Sequence, residues 1–538
     1  MNLDKRFLRK RIIPLGIFLG VFLLVALTIS DYGITWDEPN YFHASDLHIQ
    51  WLADFGKNLL NGQLSRSLKD EAIKGAWHWN SYYVPHPPFS RILSGLTKAL
   101  FSPFFDKFVA YRLAPALFFA LLVTLMYVWM TALFDRITGL FSALTLVLIP
   151  NLFGFAHLAV TDMPLTAMWF LTVYCFWRGL KDWRWSLALG VVWGLALSTK
   201  FPALLIPLPL LLWAHLYHRP AYANNVFAMI FLSPLVMIAS QPYLWHQTFL
   251  RILEFLYEGV SRAYRPETNY TIIFFNRYYF TAELPWYYPF FIASVMTPEI
   301  ILALLLIGVA SIQSLKPQRG VLMLFLFNAL FILVMGLLPG AVLHDGMRQL
   351  LAMLPFLGGL AGGGFFSVVR YLLEKSQRIK ALQGITYLRA KLIGAVSLLL
   401  LFPLALDIFV YHPYELSYYN RLVGGIRGAY RRGLEVSYFM EAFTPDFLKF
   451  LNEKLPPNAV INASSSNFMF QYYQKEGRLR PDIRITDKKD FDYYILLMRR
   501  STFKKDDWDV INKNPRPHAS LHLHGVPLIS IYKAKGRS

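Results

Sequence analysis

The sequence predicts a polytopic α-helical membrane protein with a small α/β domain at its C-terminal end. Of the 538 residues, 55% are hydrophobic and only 16% are charged, whereas soluble domains carry roughly 25% charged residues. The apolar residues are gathered into about eleven segments of near-membrane length. Because residues 412–538 have a different composition, we expect a transmembrane region at 1–411 and an extracytoplasmic domain at 412–538.

Basic residues in short loops between the apolar segments set the predicted orientation. The first segment, about 12–30, follows a cluster of Lys and Arg at positions 5–11, and cytoplasmic loops are enriched in these residues. No small-residue cleavage site follows, so we expect an uncleaved first helix with a cytoplasmic N-terminus. The other spans are expected near 107–133, 138–157, 163–178, 185–199, 202–217, 224–245, 289–312, 320–341, 349–369 and 392–411.

Charge and cysteine content exclude other classes. The formal net charge is +20, but much of it lies in the short loops, where it reports membrane topology rather than a nucleic-acid partner. The single cysteine, Cys175, lies inside an apolar segment. We therefore expect it to be a small buried residue and the chain to have no intramolecular disulfide.

Two long loops, 31–106 and 246–288, are predicted on the outer face. Within the first loop, segments 41–60 and 88–101 have helix-like apolar spacing, which suits helices lying in the interface plane. In the C-terminal domain, 444–455 has helical spacing. Strands are expected at 459–463, 492–498 and 521–532, a mixture typical of a small α/β domain.

The first long loop begins with the acidic pair Asp37 and Glu38, directly after the first span. Adjacent residues on a helix or strand point in different directions, so we expect the two carboxylates to have different roles. An isolated pair is more often a solvated loop start. Here, however, several carboxylates at one membrane face indicate a shared polar cavity. The ionisable residues at outer ends of other spans are His86, Asp162, Lys200, His344, Asp345 and Arg348.

Cationic residues on the same face predict an anionic ligand. Arg91 and Arg348 carry planar guanidinium groups that can give two hydrogen bonds to one phosphate. Lys200 could instead be an anchor that reaches lipid headgroups. His86 precedes two prolines, which hold an extended backbone, and could mark a structural turn. The sequence has no Walker loop, dinucleotide fingerprint, metalloprotease helix motif or nucleophile elbow, which fits a donor carried in the membrane.

Ordered motifs resemble the lipid-linked-sugar glycosyltransferases of the GT-C class, specifically bacterial relatives of the protein O-mannosyltransferase and aminoarabinose transferase families. Each motif is short, and their order and spacing carry the resemblance. The tail from His412 to Gly425 is also similar to these bacterial proteins. The motifs are TWDEP, VPHPPFSRIL, TDMPLTAMWF, STKFPALLIP, LPWYYPFFIASVMTPEIIL and HDGMRQLLAMLP.

The resemblance implies a GT-C fold, a polyprenyl-phosphate sugar donor and transfer on the outer, periplasmic face of the bacterial plasma membrane. It places the general base at Asp37, with Glu38 supporting it and Asp162 at the family's second acidic position. An inverting transfer needs one carboxylate to take the acceptor proton, and a leaving lipid phosphate needs charge stabilisation. The residues expected to bind substrate are His86, Arg91, Lys200, His344, Asp345 and Arg348.

Several points stay open from the sequence. The acceptor is a protein, a lipid or a polysaccharide. No cofactor is required, and a divalent metal held by Asp37, Asp162 and His86 remains possible. His86 replaces the basic residue that aminoarabinose transferases have before Pro-Pro, which favours a mannosyltransferase-like arrangement. The alternative functions are a transporter or lipid or glycan flippase, with ionisable residues near the bilayer midplane and repeated halves, and a non-catalytic scaffold.

Overall fold

The computed structural model describes residues 5–78, 86–218, 221–261, 270–338, 341–377 and 388–534. Apolar helices form most of the chain, and a sheet domain follows them. The helices before the sheet domain are α1 (Lys5–Thr28), α2 (Glu38–Leu60), α3 (Asp70–Trp77), α4 (Phe89–Phe101), α5 (Lys107–Leu133), α6 (Arg136–Val147), α7 (Pro150–Phe155), α8 (Asp162–Gly179), α9 (Trp183–Leu197), α10 (Pro207–Tyr217), α11 (Ala223–Phe227), α12 (Ser233–Ala239), α13 (Thr248–Ser261), α14 (Tyr288–Met296), α15 (Glu299–Ser311), α16 (Arg319–Met335), α17 (Leu354–Gln377), α18 (Leu388–Tyr411) and α19 (Gly425–Arg431).

The chain is a multipass membrane protein. Among the described residues, four helices are long and apolar enough to cross a membrane, and the bent pair α14–α15 gives up to a fifth. Every predicted span overlaps at least one helix, but many of these helices are shorter than a bilayer is thick. The number that cross the membrane stays a prediction. The four long helices are Arg11–Asp31, Lys107–Leu133, Arg348–Ser376 and Ala390–Tyr411.

Two segments predicted as single spans are broken at prolines. The segment 138–157 divides into α6 and α7, and Pro150 is the first residue of α7. The segment 289–312 divides into α14 and α15, and the helix direction bends by 113° between them, next to Pro298. Proline lacks the N–H that would continue the preceding helix but fits the start of a new one. The two segments are therefore not continuous helices, and their crossing of the membrane stays a prediction.

The two helices predicted in the first long loop are confirmed as α2 and α4, and α3 lies between them. α2 and α4 pack closely at Gly95, where an added Cβ would lie 2.8 Å from the backbone oxygen of Ser45. Their position in the interface plane stays a prediction. The second long loop contains an unpredicted antiparallel hairpin, β1 (Thr271–Phe274) and β2 (Arg277–Phe280).

Glycines bring α15 and α17 into direct backbone contact, as small residues do where membrane helices pack closely. A Cβ at Gly308 would lie 2.1 Å from the Leu360 carbonyl oxygen. A Cβ at Gly364 would lie 2.0 Å from the Leu304 carbonyl oxygen. Real side chains do not tolerate such distances, so the pair requires glycine on both helices.

The predicted C-terminal α/β domain is present. Its five strands lie in the order β4 (Arg484–Ile485), β3 (Val460–Asn462), β5 (Tyr493–Leu497), β7 (Val526–Lys533) and β6 (Ala519–Leu523). β4, β3 and β5 are parallel, and β7 is antiparallel to both β5 and β6. The expected single strand at 521–532 is instead a hairpin, because His524 and Gly525 adopt positive φ values of 50° and 77° and turn the chain. The helices of the domain are α20 (Pro445–Lys454), α21 (Asn467–Lys475) and α22 (Lys505–Lys513).

The chain after α18 packs onto the segment that leads to the acidic pair. The Ile34 amide donates to the Tyr473 hydroxyl at 2.8 Å, and this hydroxyl donates to the Phe443 carbonyl at 3.1 Å. A Cβ at Gly33 would lie 2.5 Å from the Phe443 oxygen. The first loop and the C-terminal region therefore hold each other in place, while the domain boundary at 411/412 stays a prediction.

Candidate active site

Arg348, just before α17, is the centre of a buried ion network. Its Nη2 donates to Asp37 Oδ2 at 2.6 Å, Nε to Asp162 Oδ2 at 3.2 Å and Nη1 to Asp345 Oδ2 at 3.0 Å. The guanidinium carbon also lies 4.0 Å from the centre of the Phe439 ring. One cation thus joins carboxylates from three separate segments, as the clustering at span ends predicts.

Asp162 and Lys200 form the next pair of the network. Asp162 is the first residue of α8, and its Oδ1 accepts a hydrogen bond from Lys200 Nζ at 2.8 Å. Lys200 also donates to Gln349 at 3.3 Å. Both side chains are buried, so Lys200 does not reach the lipid headgroups and the anchor interpretation was wrong. A buried ion pair of this kind holds two segments in a fixed relation.

Asp345 shares its carboxylate among three partners. Its Oδ2 lies 2.7 Å from His344 Nδ1 and accepts from Arg348, while its Oδ1 lies 2.9 Å from Arg499 Nη1. Burial alone would raise the pKa of Asp345, but Arg499, His344 and Arg348 outweigh it and hold that pKa well below its usual range. Burial lowers the pKa of His344 despite Asp345. Asp345 is therefore a fixed negative charge.

Asp37 differs from the rest of the network in its exposure. Its side chain is 34% exposed, whereas those of Arg348 and Asp162 are 4% and 1% exposed. Asp37 Oδ2 accepts the bond from Arg348, and its Oδ1 has no hydrogen-bond partner among the described residues. The Asp37 side chain is thus partly accessible from outside the buried network, while its Oδ2 is held by Arg348.

Glu38 points the other way and is fully buried. Its Oε1 accepts from Arg112 Nε at 2.7 Å and the Ala159 amide at 2.9 Å. Its Oε2 accepts from Arg112 Nη2 at 2.6 Å and from the Thr35 amide and hydroxyl at 2.8 and 3.1 Å. These five donors occupy the carboxylate. A catalytic role for Glu38 stays a prediction, and its geometry favours a structural one.

Arg112, on α5, is a residue that the sequence reasoning missed. Besides binding Glu38, it donates to the carbonyls of Tyr32 at 3.0 Å and Gly33 at 2.7 Å, and so fixes the chain leaving α1. A signal was present, because a charged residue inside an apolar segment usually has a functional or structural partner.

His86 and Arg91 form a second group beside the network. Arg91 Nη2 donates to the His86 carbonyl at 2.5 Å, and Arg91 Nε donates to His48 Nε2 at 3.4 Å. Arg91 Nη1 is buried without a hydrogen-bond partner, and no carboxylate in the described part of the chain forms an ion pair with Arg91. Burial lowers the pKa of Arg91 to about 10. Among the described residues, the guanidinium therefore has one donor without an acceptor.

Tyr41 connects the two groups. It lies one helical turn after Asp37, and its amide donates to the Asp37 carbonyl at 3.2 Å. Its ring centre is 6.4 Å from that of His86 and 5.9 Å from the Arg91 guanidinium carbon. The carboxylate side and the second group thus meet across one aromatic ring, a contact that no pattern in the sequence predicts.

Arg499 enters the network from the C-terminal domain. It follows β5, is buried, and donates to the Tyr438 carbonyl; its guanidinium carbon lies 4.9 Å from the centre of the Trp36 ring. No motif in the sequence marks Arg499. Its position depends on how the sheet domain packs against the first loop.

The sequence does not decide between a site with a divalent metal and one without. In the ranges that the structure covers, no group of three or more His, Cys, Asp or Glu side chains is arranged to hold a metal ion. Asp37 and Asp162, two of the predicted ligands, are bound by the Arg348 guanidinium. The donor set present therefore fits an arginine rather than a divalent cation.

Comparison with solved structures gives similar chains at low identity. The chain is similar to ArnT from Cupriavidus metallidurans bound to undecaprenyl phosphate, at 14% identity and a TM-score of 0.46, over 97% of this chain and 99% of that one. The apo form of the same protein gives the same identity and TM-score, over 96% and 97%. Archaeal oligosaccharyltransferase AglB from Archaeoglobus fulgidus, in complex with an inhibitory peptide and a dolichol-phosphate, is similar at 12% identity and a TM-score of 0.44, over 87% and 60%.

The family comparison matches a defined part of the chain. Residues 85–246 match the family described as dolichyl-phosphate-mannose-protein mannosyltransferase. None of the curated proteins matches the chain. The matched part contains His86, Arg91, Asp162 and Lys200. The resemblance to mannosyltransferases predicted from the sequence is therefore confirmed over 85–246.

Proposed function

We propose that this protein is a GT-C glycosyltransferase that moves one sugar from a polyprenyl-phosphate donor to an acceptor hydroxyl group. The observation that carries the proposal is the partly exposed carboxylate of Asp37, held at 2.6 Å by the buried guanidinium of Arg348. Residues 85–246 match a family whose description names dolichyl-phosphate-mannose as the donor. This match supports a lipid-phosphate donor.

In this mechanism Asp37 is the general base. The acceptor hydroxyl donates a hydrogen bond to Asp37 Oδ1, the oxygen without a partner among the described residues. As the acceptor oxygen bonds to the anomeric carbon, its proton passes to Asp37 and the bond from that carbon to the phosphate oxygen breaks. Attack opposite the leaving group inverts the anomeric carbon. Arg348 holds the carboxylate in place throughout.

Arg91 is the better candidate for the donor phosphate than Arg348 or Lys200. Arg348 pairs with three carboxylates and Lys200 with Asp162. Arg91 has a buried Nη1 donor without a partner in the described ranges. A buried cation without a counter-charge is unfavourable, and a phosphate supplies that charge and the missing acceptor. The leaving lipid phosphate is then stabilised by charge rather than by a proton.

The proposed site lies on the outer face of the bacterial plasma membrane, with the N-terminus in the cytoplasm and the C-terminal domain outside. The distribution of Lys and Arg in short loops supports this orientation. The ion network joins the beginning of α8, the residues after α9 and the segment just before α17. Ionisable groups at helix ends support a transferase over a transporter, whose charged residues lie near the midplane. The acceptor is a protein, a lipid or a polysaccharide.

The test uses membrane vesicles and a panel of radiolabelled polyprenyl-phosphate sugars. We expect wild type to transfer label from one donor and Asp37→Asn to lower kcat by about 10²–10⁴, the contribution of general-base catalysis. Arg91→Met should raise KM for the donor. Asp54→Asn, an exposed change on the same helix α2, should leave the rate unchanged. A wild-type rate in Asp37→Asn would refute the base, and no transfer from any donor would refute the function.

A further inference from the structure

Arg499 joins the C-terminal domain to the candidate active site. Its side chain is 4% exposed, and its Nη1 lies 2.9 Å from Asp345 Oδ1. Its guanidinium also covers the ring of Trp36, the residue before Asp37. Arg499 therefore contacts both the ion network and the loop that carries the exposed carboxylate, although it lies far from both in the sequence.

The contacts form a chain of alternating charges from Arg499 to Asp37. Arg499 meets Asp345 at 2.9 Å, Asp345 meets Arg348 at 3.0 Å, and Arg348 meets Asp37 at 2.6 Å. Lys200 and Asp162 add one charge of each sign. The three cations balance the three carboxylates. Without Arg499, the network would hold one more negative charge than positive charge.

We infer that Arg499 is a positioning residue, which acts through Asp345 to hold Arg348 where its guanidinium pairs with Asp37. The inference rests on the proposed function, in which Asp37 is the base. With Arg499 present, Asp345 divides its two oxygens between two arginines. Without Arg499, Asp345 draws Arg348 towards itself, and the excess negative charge makes the Asp37 carboxylate easier to protonate. Arg499 itself does not contact the reacting atoms.

Other titratable groups also face Arg499, so a pH profile has to separate their effects. Burial raises the pKa of Glu435 and of Glu441, and Arg499 acts against that rise in both. Loss of Arg499 would therefore also favour protonation of these glutamates. Facing Asp37 are Arg348, Tyr41 and Asp162. Facing Arg499 are His344, Asp345, Glu435, Glu441, Tyr288 and Tyr438.

The experiment measures kcat and its pH dependence in membrane vesicles for Arg499→Met and the double variant Arg499→Met, Asp345→Asn. We expect Arg499→Met to move the acidic limb of the profile up by about one pH unit, and so to lower kcat by at most about tenfold, at pH values below that limb. In the double variant the charges are balanced again, with two cations and two carboxylates. Its acidic limb should therefore return to the wild-type position. Arg499→Lys, which keeps the charge, should retain that position.

Outcomes other than these would count against the inference. Arg500→Met is the matched control, because its guanidinium packs on the Tyr430 ring outside the network and, like that of Arg499, acts on Glu435. A shift equal to that of Arg499→Met would assign the effect to Glu435 or to the domain as a whole. An acidic limb that stays shifted in the double variant would assign the effect to the glutamates or to the fold. A wild-type profile in Arg499→Met while Asp37→Asn is inactive would overturn the inference alone. Inactive wild type would overturn the proposed function as well.

Discussion

Replacing Glu38 with glutamine tests whether the buried member of the acidic pair is structural. The amide keeps the shape of the carboxylate but turns one acceptor oxygen into a donor. Oε1 accepts two hydrogen bonds, from Arg112 and Ala159, and Oε2 accepts three, from Arg112 and Thr35. Whichever way the amide is oriented, its NH₂ group faces at least two donors and the buried Arg112 loses its counter-charge.

The expected cost follows from these contacts. Breaking a fully buried ion pair by removing one partner's charge costs about 3–5 kcal/mol. Asp37→Asn removes a charge that is one-third exposed, and Arg348 keeps Asp162 and Asp345, so we expect less than about 1 kcal/mol. With an unfolding entropy of about 2 cal/mol/K per residue, these values correspond to a Tm lower by about 3–5 °C and by at most about 1 °C.

The assay is thermal unfolding of both variants, purified in the same detergent, together with transfer activity. Glu38→Gln should lose stability and activity together, while Asp37→Asn should keep its Tm and lose activity. A Glu38→Gln variant with the Tm of wild type and no activity would contradict the structural role. Glu38 would then be the chemical residue of the pair.

Two further predictions concern the contacts around this loop. Gly33→Ala should lower Tm and increase the rate of limited proteolysis in the loop, because the new Cβ would lie 2.5 Å from the Phe443 carbonyl oxygen; an unchanged digestion pattern would count against the close packing. Burial alone would lower the pKa of His412, but Glu415 and Asp31 overcome it and raise that pKa to about 9. Protonated His412 therefore stabilises the folded state fully below about pH 6.5, and this stabilisation is lost as pH rises through about 9. Since the ring is partly exposed, we expect the free energy of unfolding to fall by about 1–2 kcal/mol between pH 6 and 9.5. The fall should appear as a lower Tm in wild type but not in His412→Gln. Equal falls of Tm in both proteins would disprove this linkage.

The sequence predicted the helical segments well because hydropathy is a property of local composition. It did not predict the breaks at Pro150 and Pro298, because a hydropathy average does not register where a proline interrupts hydrogen bonding. The hairpin at 519–533 was missed for a related reason: its turn depends on two residues, His524 and Gly525, adopting positive φ values.

The candidate site was predictable as a location but not as a set of contacts. Asp37, Asp162, Lys200 and Arg348 share the network because the first loop and the ends of several helices pack together there. The sequence could not show that Arg348 and Lys200 are occupied by carboxylates. This pairing depends on distances between residues far apart in the chain, and it moves the expected phosphate contact to Arg91.

Arg499 marks the limit of reasoning from local patterns. It follows an ordinary strand and has no motif around it. Its contact with Asp345 exists only because the sheet domain packs on the first loop, where Tyr473 bonds to Ile34. Docking of this kind depends on the shape of two folded surfaces, which spacing and composition do not encode.

The glycine contact between α15 and α17 has a mechanical consequence. Because Gly308 and Gly364 bring backbone against backbone, no layer of side chains lies between the helices there to rearrange. Any tilt of α17, for example in a bilayer of different thickness, has to carry α15 with it. Arg348 begins the same apolar helical segment as α17, so we expect its backbone to move only together with this helix pair. We therefore expect the side of the site on α17 to resist deformation, and any movement on entry of a substrate to occur on the side of Asp37 and α2.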